Sequence, residues 1–446
     1  MNLANRLKVL LLVLGDLVVL YLTLFLTLIL RYRDNFYSQF INWHFLPFSI
    51  IFAIWLVIFY IAGLYDIRRL RNNLEFIKTL LLATFINALV AILFFYLIPA
   101  FGITPKTNLL IFIAIFAVIG TIWRRFFNQW LSGGSDVPNK ILLLGNSNAT
   151  EEIKEIVKTN PQLGYEIKAS FKENPPNLTE INLTEFITAN GVNLIIMPRH
   201  LKRNEKLTNA LYNLLTRGVT IRDSVNFYEA IARRVPLAEL EESWFLENLL
   251  EHQKFYDPLK HAWEFLAALI VGIILLPLEI LIAIIVKLSS RGPAIYKQVR
   301  TGQHGREFIL YKFRTMKVDA EKDGIKWAKP GDKRATAFGR FLRHTHLDEL
   351  PQLWNIIKGD LSFVGPRPER PELVRTLKEK VPYYEIRLLV KPGVTGWAQI
   401  NHRADATTED VVQKLQYDIY YIKNRSPLID LTIILKTIKT IFITPK

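Results

Sequence analysis

From Leu7 to Leu30 the chain is apolar apart from Lys8, Asp16 and a few hydroxyls, and three further apolar segments follow at Phe45 to Leu64, Leu80 to Ile98 and Leu109 to Trp123. An apolar run of about 20 residues is the length a helix needs to cross about 30 Å of hydrocarbon, where every backbone polar group must be satisfied within the segment. The first four segments therefore predict a bundle of transmembrane helices over residues 1–131. The first run is too long for a secretory signal, and no small-residue cleavage pattern follows it. Asp16 lies near the basic end of the first span, where an interfacial or bundle-facing role competes with an intramembrane functional one. Arg6 and Lys8 precede the first span, Arg68, Arg69, Arg71 and Lys78 lie between the second and third, and Arg124 and Arg125 follow the fourth. The opposite loops carry only Arg31, Arg33 and Lys106. The positive-inside rule then places both ends of the bundle in the cytoplasm.

The chain of 446 residues is half hydrophobic yet carries a net charge of +16, which describes a basic multi-domain membrane protein. That excess suits anionic headgroups and phosphate substrates, and no nucleic-acid motif accompanies it. With no cysteine, a disulfide framework, a cysteine metal site and a thiol nucleophile are excluded.

Ser132 to Pro138 reads as a linker. After it, 139–224 alternates strand and helix patterns: a buried strand at Lys140 to Leu144, a helix at Glu151 to Lys158, a strand at Val192 to Met197, a helix at Lys206 to Arg217 and a strand at Val219 to Arg222. Such alternation predicts a small doubly wound α/β domain. Its first turn, Gly145 to Thr150, has one glycine where a dinucleotide fingerprint has three, which argues against a nucleotide cofactor. The stretch 225–255 is an amphipathic connector with Arg233 and Arg234 followed by Glu239, Glu241 and Glu242, a charge run expected to be a solvated face.

A fifth apolar segment, at residues 262–287, has Lys260 and His261 before it and Lys287, Arg291, Lys297 and Arg300 after it, so both ends carry the cytoplasmic charge signature. Pro277 in its middle removes an intrahelical hydrogen bond. A re-entrant helix that breaks there and returns to the same face satisfies both observations; a kinked spanning helix is the alternative. Leu428 to Ile443, with Lys436 and Lys439 among apolar residues, is expected either along the interface or as a packed helix.

The densest chemistry lies between His344 and Arg370, HTHLDELPQLWNIIKGDLSFVGPRPER. Pro351 is tolerated only in a helix's first turn, so the helix bearing Leu350, Leu353, Ile356 and Ile357 is predicted to begin near Asp348, with Asp348 and Glu349 at its N-terminus. Gly359 and Asp360 form a turn, and Pro366 and Pro368 hold Arg367 on an extended support. Dense cations and glycine turns around one acidic pair suit a polyanionic phosphate substrate. A capping acid with its ion-pair partner is the plainer alternative.

In order and spacing, YKFRTM (311–316), LDELPQLWN (347–355), KGDLSFVGPRPERPE (358–372) and KPGVTGWAQIN (391–401) resemble the bacterial polyprenyl-phosphate hexose-1-phosphate transferases, over about Tyr256 to Phe442. The run Lys414 to Arg425 is similar to members serving exopolysaccharide synthesis. The resemblance implies a mostly α-helical catalytic domain at 256–446, with a re-entrant membrane helix, in the bacterial inner membrane and facing the cytoplasm. It also implies a regulatory or dimerising Rossmann-like middle domain, which allows a homodimer. The reaction implied passes a sugar phosphate from a UDP-sugar to undecaprenyl phosphate with loss of UMP, aided by Mg2+. On matching residues, Asp348 is the nucleophile and Glu349 holds the metal, while Lys312, Arg314, Arg343, Arg367 and Lys391 contact phosphates beside Pro366 and Pro368. His344 and His346, and the run Lys260, His261, Trp263 and Glu264, depart from the usual pattern; the two histidines are expected to be solvated helix-entry residues. A membrane-tethered nucleotide-sugar oxidoreductase and a non-catalytic scaffold are the rival readings.

Overall fold

The computed structural model describes residues 3–98, 106–133, 139–171, 180–216, 218–249, 256–316, 334–402 and 407–443. Most of the expected linker, 134–138, and the end of the connector, 250–255, lie outside them. The chain divides into two compact units, 1–232 and 233–446.

In the first unit, α1 (Leu3–Tyr32), α2 (Phe45–Ala62), α3 (Leu74–Leu97) and α4 (Lys106–Gly133) form the bundle. Short helical turns over residues 33–44 carry the chain from α1 into α2. Tyr21 packs edge-on against Phe52 with its hydroxyl 2.7 Å from Ser49, so the two helices run back along each other. Trp55, Phe59, Phe112 and Phe116 interlock in the interior, as expected where helices associate by packing rather than by escape from water. Hydroxyls in the spans turn inward on their own helix, as Thr23 does to the carbonyl of Val19 at 2.7 Å.

The α/β portion has four parallel strands, β1 (Asn139–Leu144), β2 (Tyr165–Phe171), β3 (Leu194–Met197) and β4 (Thr220–Asp223), in the order β2-β1-β3-β4. Between them run α5 (Asn148–Thr159), α6 (Glu180–Asn190) and α7 (Glu205–Leu215), and α8 (Ser224–Ala232) follows. Successive side chains of β1 point to opposite faces, Ile141 and Leu143 toward α5 and α8, Leu142 and Leu144 toward α6 and α7. That two-sided burial is why β1 is an unbroken apolar run. Leu163, just past α5, is buried in the bundle's own core, and Arg71 reaches Asn160 Oδ1 at 2.8 Å. The segment Val225 to Ala232, read from sequence as part of a connector, packs Phe227, Tyr228 and Ile231 beneath the sheet.

In the second unit, α9 (Glu242–Leu249) precedes α10 (Tyr256–Ser289), which does not break at Pro277 as expected: the proline removes one intrahelical hydrogen bond and the helix continues across it. Its two ends, not its middle, touch the rest of the unit. Ala268 packs with Phe308, Leu310, Ile356 and Leu361, and Ile282 and Val286 pack with Phe313 and Leu342. Between them Ile270, Ile273, Ile274, Leu276 and Ile280 are exposed. Both ends thus lie against one antiparallel hairpin, β5 (Ile295–Thr301) and β6 (Glu307–Phe313), which the sequence reading did not anticipate in a mostly helical domain.

After the hairpin come α11 (Ala337–Thr345), α12 (Gln352–Lys358), β7 (Ser362–Val364), α13 (Pro371–Lys380), β8 (Gly393–Thr395), α14 (Trp397–Asn401), α15 (Thr408–Asn424) and α16 (Pro427–Ile443). β7 and β8 pair in parallel. At this crossing a Cβ on Gly365 would lie 2.4 Å from the carbonyl oxygen of Lys391, and one on Gly393 would lie 2.0 Å from the nitrogen of Gly365. Only glycine permits so close a backbone approach. The C-terminal α16 is mixed in character, with Asp430 and Ile433 buried and Leu428 and Leu431 exposed.

Candidate active site

The acidic pair does not sit in the first turn of the helix that follows it. Residues Leu347–Glu349 form a separate 3-10 turn, Pro351 occupies the N-cap position, and α12 begins at Gln352. The reason is local: His346 takes a left-handed conformation, φ 57°, that ends α11 and redirects the chain, and the tighter turn closes with the Glu349 amide on the carbonyl of His346 at 3.1 Å. Proline then cannot donate to it, so the α-helical ladder starts beyond.

This turn is clamped to β6. Asn355, one turn into α12 and fully buried, donates its amide to the carbonyl of Ile309 at 2.7 Å and accepts from the N–H of Tyr311 at 3.1 Å. It thereby extends the ladder of β6 with a side chain. The clamp sets Lys312, the residue after Tyr311, against the acids: its Nζ lies 2.6 Å from Glu349 Oε1. Arg367 approaches the same oxygen at 3.3 Å from the proline-framed segment. Asp348, beside Glu349, is buried. Three segments separated by 37 and 18 positions thus meet at one carboxylate.

The remaining cations divide. Arg343, at the end of α11, donates from Nε to the hydroxyl of Thr315 at 2.8 Å, two residues past the end of β6. Arg314 is buried and turns toward the end of α10, donating to the carbonyl and hydroxyl of Ser290 at 2.8 and 3.0 Å, so the structure gives it an anchoring contact rather than one to the acids. Lys391 lies beneath the turn at Gly359, and burial, reinforced by neighbouring Lys260, holds its ammonium below the usual lysine range despite Glu264 and Asp360. His346 is the left-handed cap already described, and His344 is exposed near the end of α11.

Two residues read from sequence as part of the membrane-helix entry prove to be internal. Lys260 is buried and donates to the carbonyl of Val364 and the hydroxyl of Tyr421, each at 2.7 Å, with Asp430 at 2.8 Å. Glu264, one turn on, accepts from the Ser362 hydroxyl at 2.6 Å and the Phe363 amide at 3.1 Å. Together they pin the start of α10 to β7, the strand that leads into Pro366, Arg367 and Pro368. Their partners are about a hundred residues away in sequence, so no local pattern could have disclosed them.

The fold and this cluster define a membrane protein with an acid pair set among cations on a hairpin and a proline-framed loop. The family of proteins described as bacterial sugar transferases matches residues 255–444. A UDP-glucose:undecaprenyl-phosphate glucose-1-phosphate transferase of Xanthomonas campestris pv. campestris is 30% identical over 341 residues, 71% of this chain and 69% of its own length. The protein of the same description from Klebsiella pneumoniae is 27% identical over 441 residues, 93% of each chain. A UDP-N-acetylgalactosamine-undecaprenyl-phosphate N-acetylgalactosaminephosphotransferase of Aeromonas hydrophila is 40% identical over 213 residues, 48% of this chain and half of that relative. The chain belongs to the bacterial sugar transferase family.

Proposed function

We propose that this protein transfers a hexose-1-phosphate from a UDP-sugar to undecaprenyl phosphate at the cytoplasmic face of the inner membrane, releasing UMP and initiating a surface glycan. The observation that carries this reading is the meeting of Lys312 and Arg367 on Glu349 beside Asp348, within the stretch that matches the family. Donor and acceptor are both anionic, so repulsion must be screened before the reacting atoms can approach, and fixed cations do this without reorganising.

In the proposed course the Asp348 carboxylate attacks the β-phosphorus of the donor, a phosphorus–carboxylate oxygen bond forms, and the bond from that phosphorus to the bridging oxygen breaks as UMP leaves. An oxygen of undecaprenyl phosphate then attacks the same phosphorus and restores the carboxylate. Lys312, Arg343 and Arg367 hold phosphate oxygens, and the carboxylate of Glu349 keeps Lys312 and Arg367 aimed at the site until substrate arrives. Among the described residues no three His, Asp or Glu side chains gather closely enough to hold a metal by themselves. Two adjacent carboxylates fit Mg2+, which takes one or two protein carboxylates and fills its shell with phosphate oxygens and water. Glu349 would hold it beside Asp348, and when bound it supplies further charge neutralisation.

The membrane arrangement follows the same reading. Both ends of α10 pack on one hairpin while its apolar middle is exposed, which supports a helix that dips into the bilayer and returns, bringing the acids to headgroup level where the lipid phosphate lies. The test is UMP release by the purified full chain with Mg2+, undecaprenyl phosphate and a panel of UDP-sugars, UDP-glucose and UDP-N-acetylgalactosamine first. Lipid-dependent release with one donor is expected; silence across the panel sinks the reading in favour of a scaffold or another donor class.

A further inference from the structure

Resting on the function just proposed, we infer that Arg300 and Arg387 are positioning residues that fix the direction of Arg367 by gripping the backbone behind it. Four successive carbonyls, of Pro366, Arg367, Pro368 and Glu369, are each taken by a donor, and the donors come from three places in the chain. The Gly393 amide bonds that of Pro366 at 2.9 Å, Arg387 that of Arg367 at 2.9 Å, Arg300 that of Pro368 at 2.8 Å, and the Thr301 amide that of Glu369 at 2.9 Å.

The chemistry of the segment explains why side chains are needed. Two of its residues are prolines and have no N–H to offer, so a two-sided strand ladder cannot hold it. Its carbonyls remain as handles, and a guanidinium can reach in from the interior and still keep charged partners of its own. Arg387 is buried and balanced by Asp418 at 2.9 Å and Glu369 at 3.9 Å, and Arg300 lies 3.8 Å from Glu369. Lys414 completes the set at 2.8 Å from the same Glu369. The network pairs three cations with two carboxylates behind the loop and leaves the Arg367 guanidinium against Glu349. A change in Arg300 or Arg387 therefore acts on the site through the main chain of Arg367, not by touching substrate.

The experiment is a double-mutant comparison in the full chain, reading the rate of UMP release and the thermal midpoint for Arg300→Met, Arg367→Ala and the pair, with Arg387→Lys beside them. Arg300→Met is expected to lower kcat by about 10- to 100-fold, the scale of a misplacement of about 1 Å at a reacting group, with little change in KM or midpoint. In the Arg367→Ala background it should cost less than about twofold more, because both changes remove one interaction. Arg387→Lys, which keeps the charge toward Asp418 but loses the fork, should fall between wild type and Arg300→Met and still fold. Full multiplication of the two losses, or an unchanged kcat in Arg300→Met, overturns the inference. A wild type that releases no UMP instead condemns the proposed reaction, and the positioning claim is then read from amide exchange. Exchange at Gly365, Gly393 and Thr301, whose amides bond the carbonyls of Thr395, Pro366 and Glu369, should accelerate by about tenfold in Arg300→Met, and unchanged exchange overturns it.

Discussion

Two acid–cation clusters in this molecule look alike as lists of residues and differ in what surrounds them. In the bundle, Asp16 of α1 accepts from the hydroxyl of Tyr65 at 2.7 Å and the indole of Trp123 at 3.1 Å, and pairs with Arg124, which also donates to the carbonyl of Leu64 at 2.7 Å. Both charged side chains are at most 3% exposed. In the second unit, Glu349, Lys312 and Arg367 are 13%, 18% and 29% exposed. The first cluster spends its charge on closing the junction of three helices. The second holds cations that water, and so a soluble anion, can reach. Partial exposure of a converged set, rather than the presence of opposite charges, separates a site from a strut.

Each arm of that contrast can be broken. Asp348→Asn keeps the size of the side chain and removes its nucleophilicity, so UMP release should fall by at least about 10³-fold with an unmoved thermal midpoint. Arg124→Met should do the reverse: it leaves Asp16 buried without its charge partner, costs about 3–5 kcal/mol of stability and lowers the yield of folded protein, while the kcat of what folds stays near wild type. Denaturation in detergent alongside the rate assay checks both. Lys312→Met should reduce kcat by about 10²-fold, since it removes one phosphate-facing cation and leaves Glu349 with Arg367. The smallest effect concerns Glu369. Burial alone would raise its carboxyl, but Lys414, Arg387 and Arg300 around it hold it below the usual glutamate range. A depressed acid stabilises the fold above the unfolded-state value and loses that contribution as pH falls through the folded one. Glu369→Gln should therefore be less stable than wild type by about 1–3 kcal/mol at neutral pH, and the gap in midpoint should close on acidification below the ordinary carboxylate range.

What the sequence disclosed follows from how local each signal is. The four spans and the strands β1 and β3 are contiguous apolar runs and were legible; β2, Tyr165 to Phe171, was not, because it is half-buried along its length and alternates charged with apolar residues. The hairpin β5 and β6 carries Lys297, Arg300, Arg306 and Lys312 and reads as a basic stretch before it reads as strands. Asp348, Glu349 and Arg367 stand within one short run, so their association was visible. Their exact carriage was not, since a left-handed His346 and a capping Pro351 moved the acids off the helix into a tighter turn. The pairing of Arg387, Lys414 and Asp418 was not legible because each finds its partner 20 to 45 positions away, where neither period nor composition couples them.

The carboxylate of Asp348 is the group proposed to receive the sugar phosphate. The most direct measurement is the intact mass of purified protein after incubation with the active UDP-sugar and Mg2+ but no lipid acceptor. Wild type should gain the mass of one hexose phosphate, lose it when undecaprenyl phosphate is added, and show no gain as Asp348→Asn. A protein that turns over yet never gains that mass, or a variant that gains it, would contradict the account.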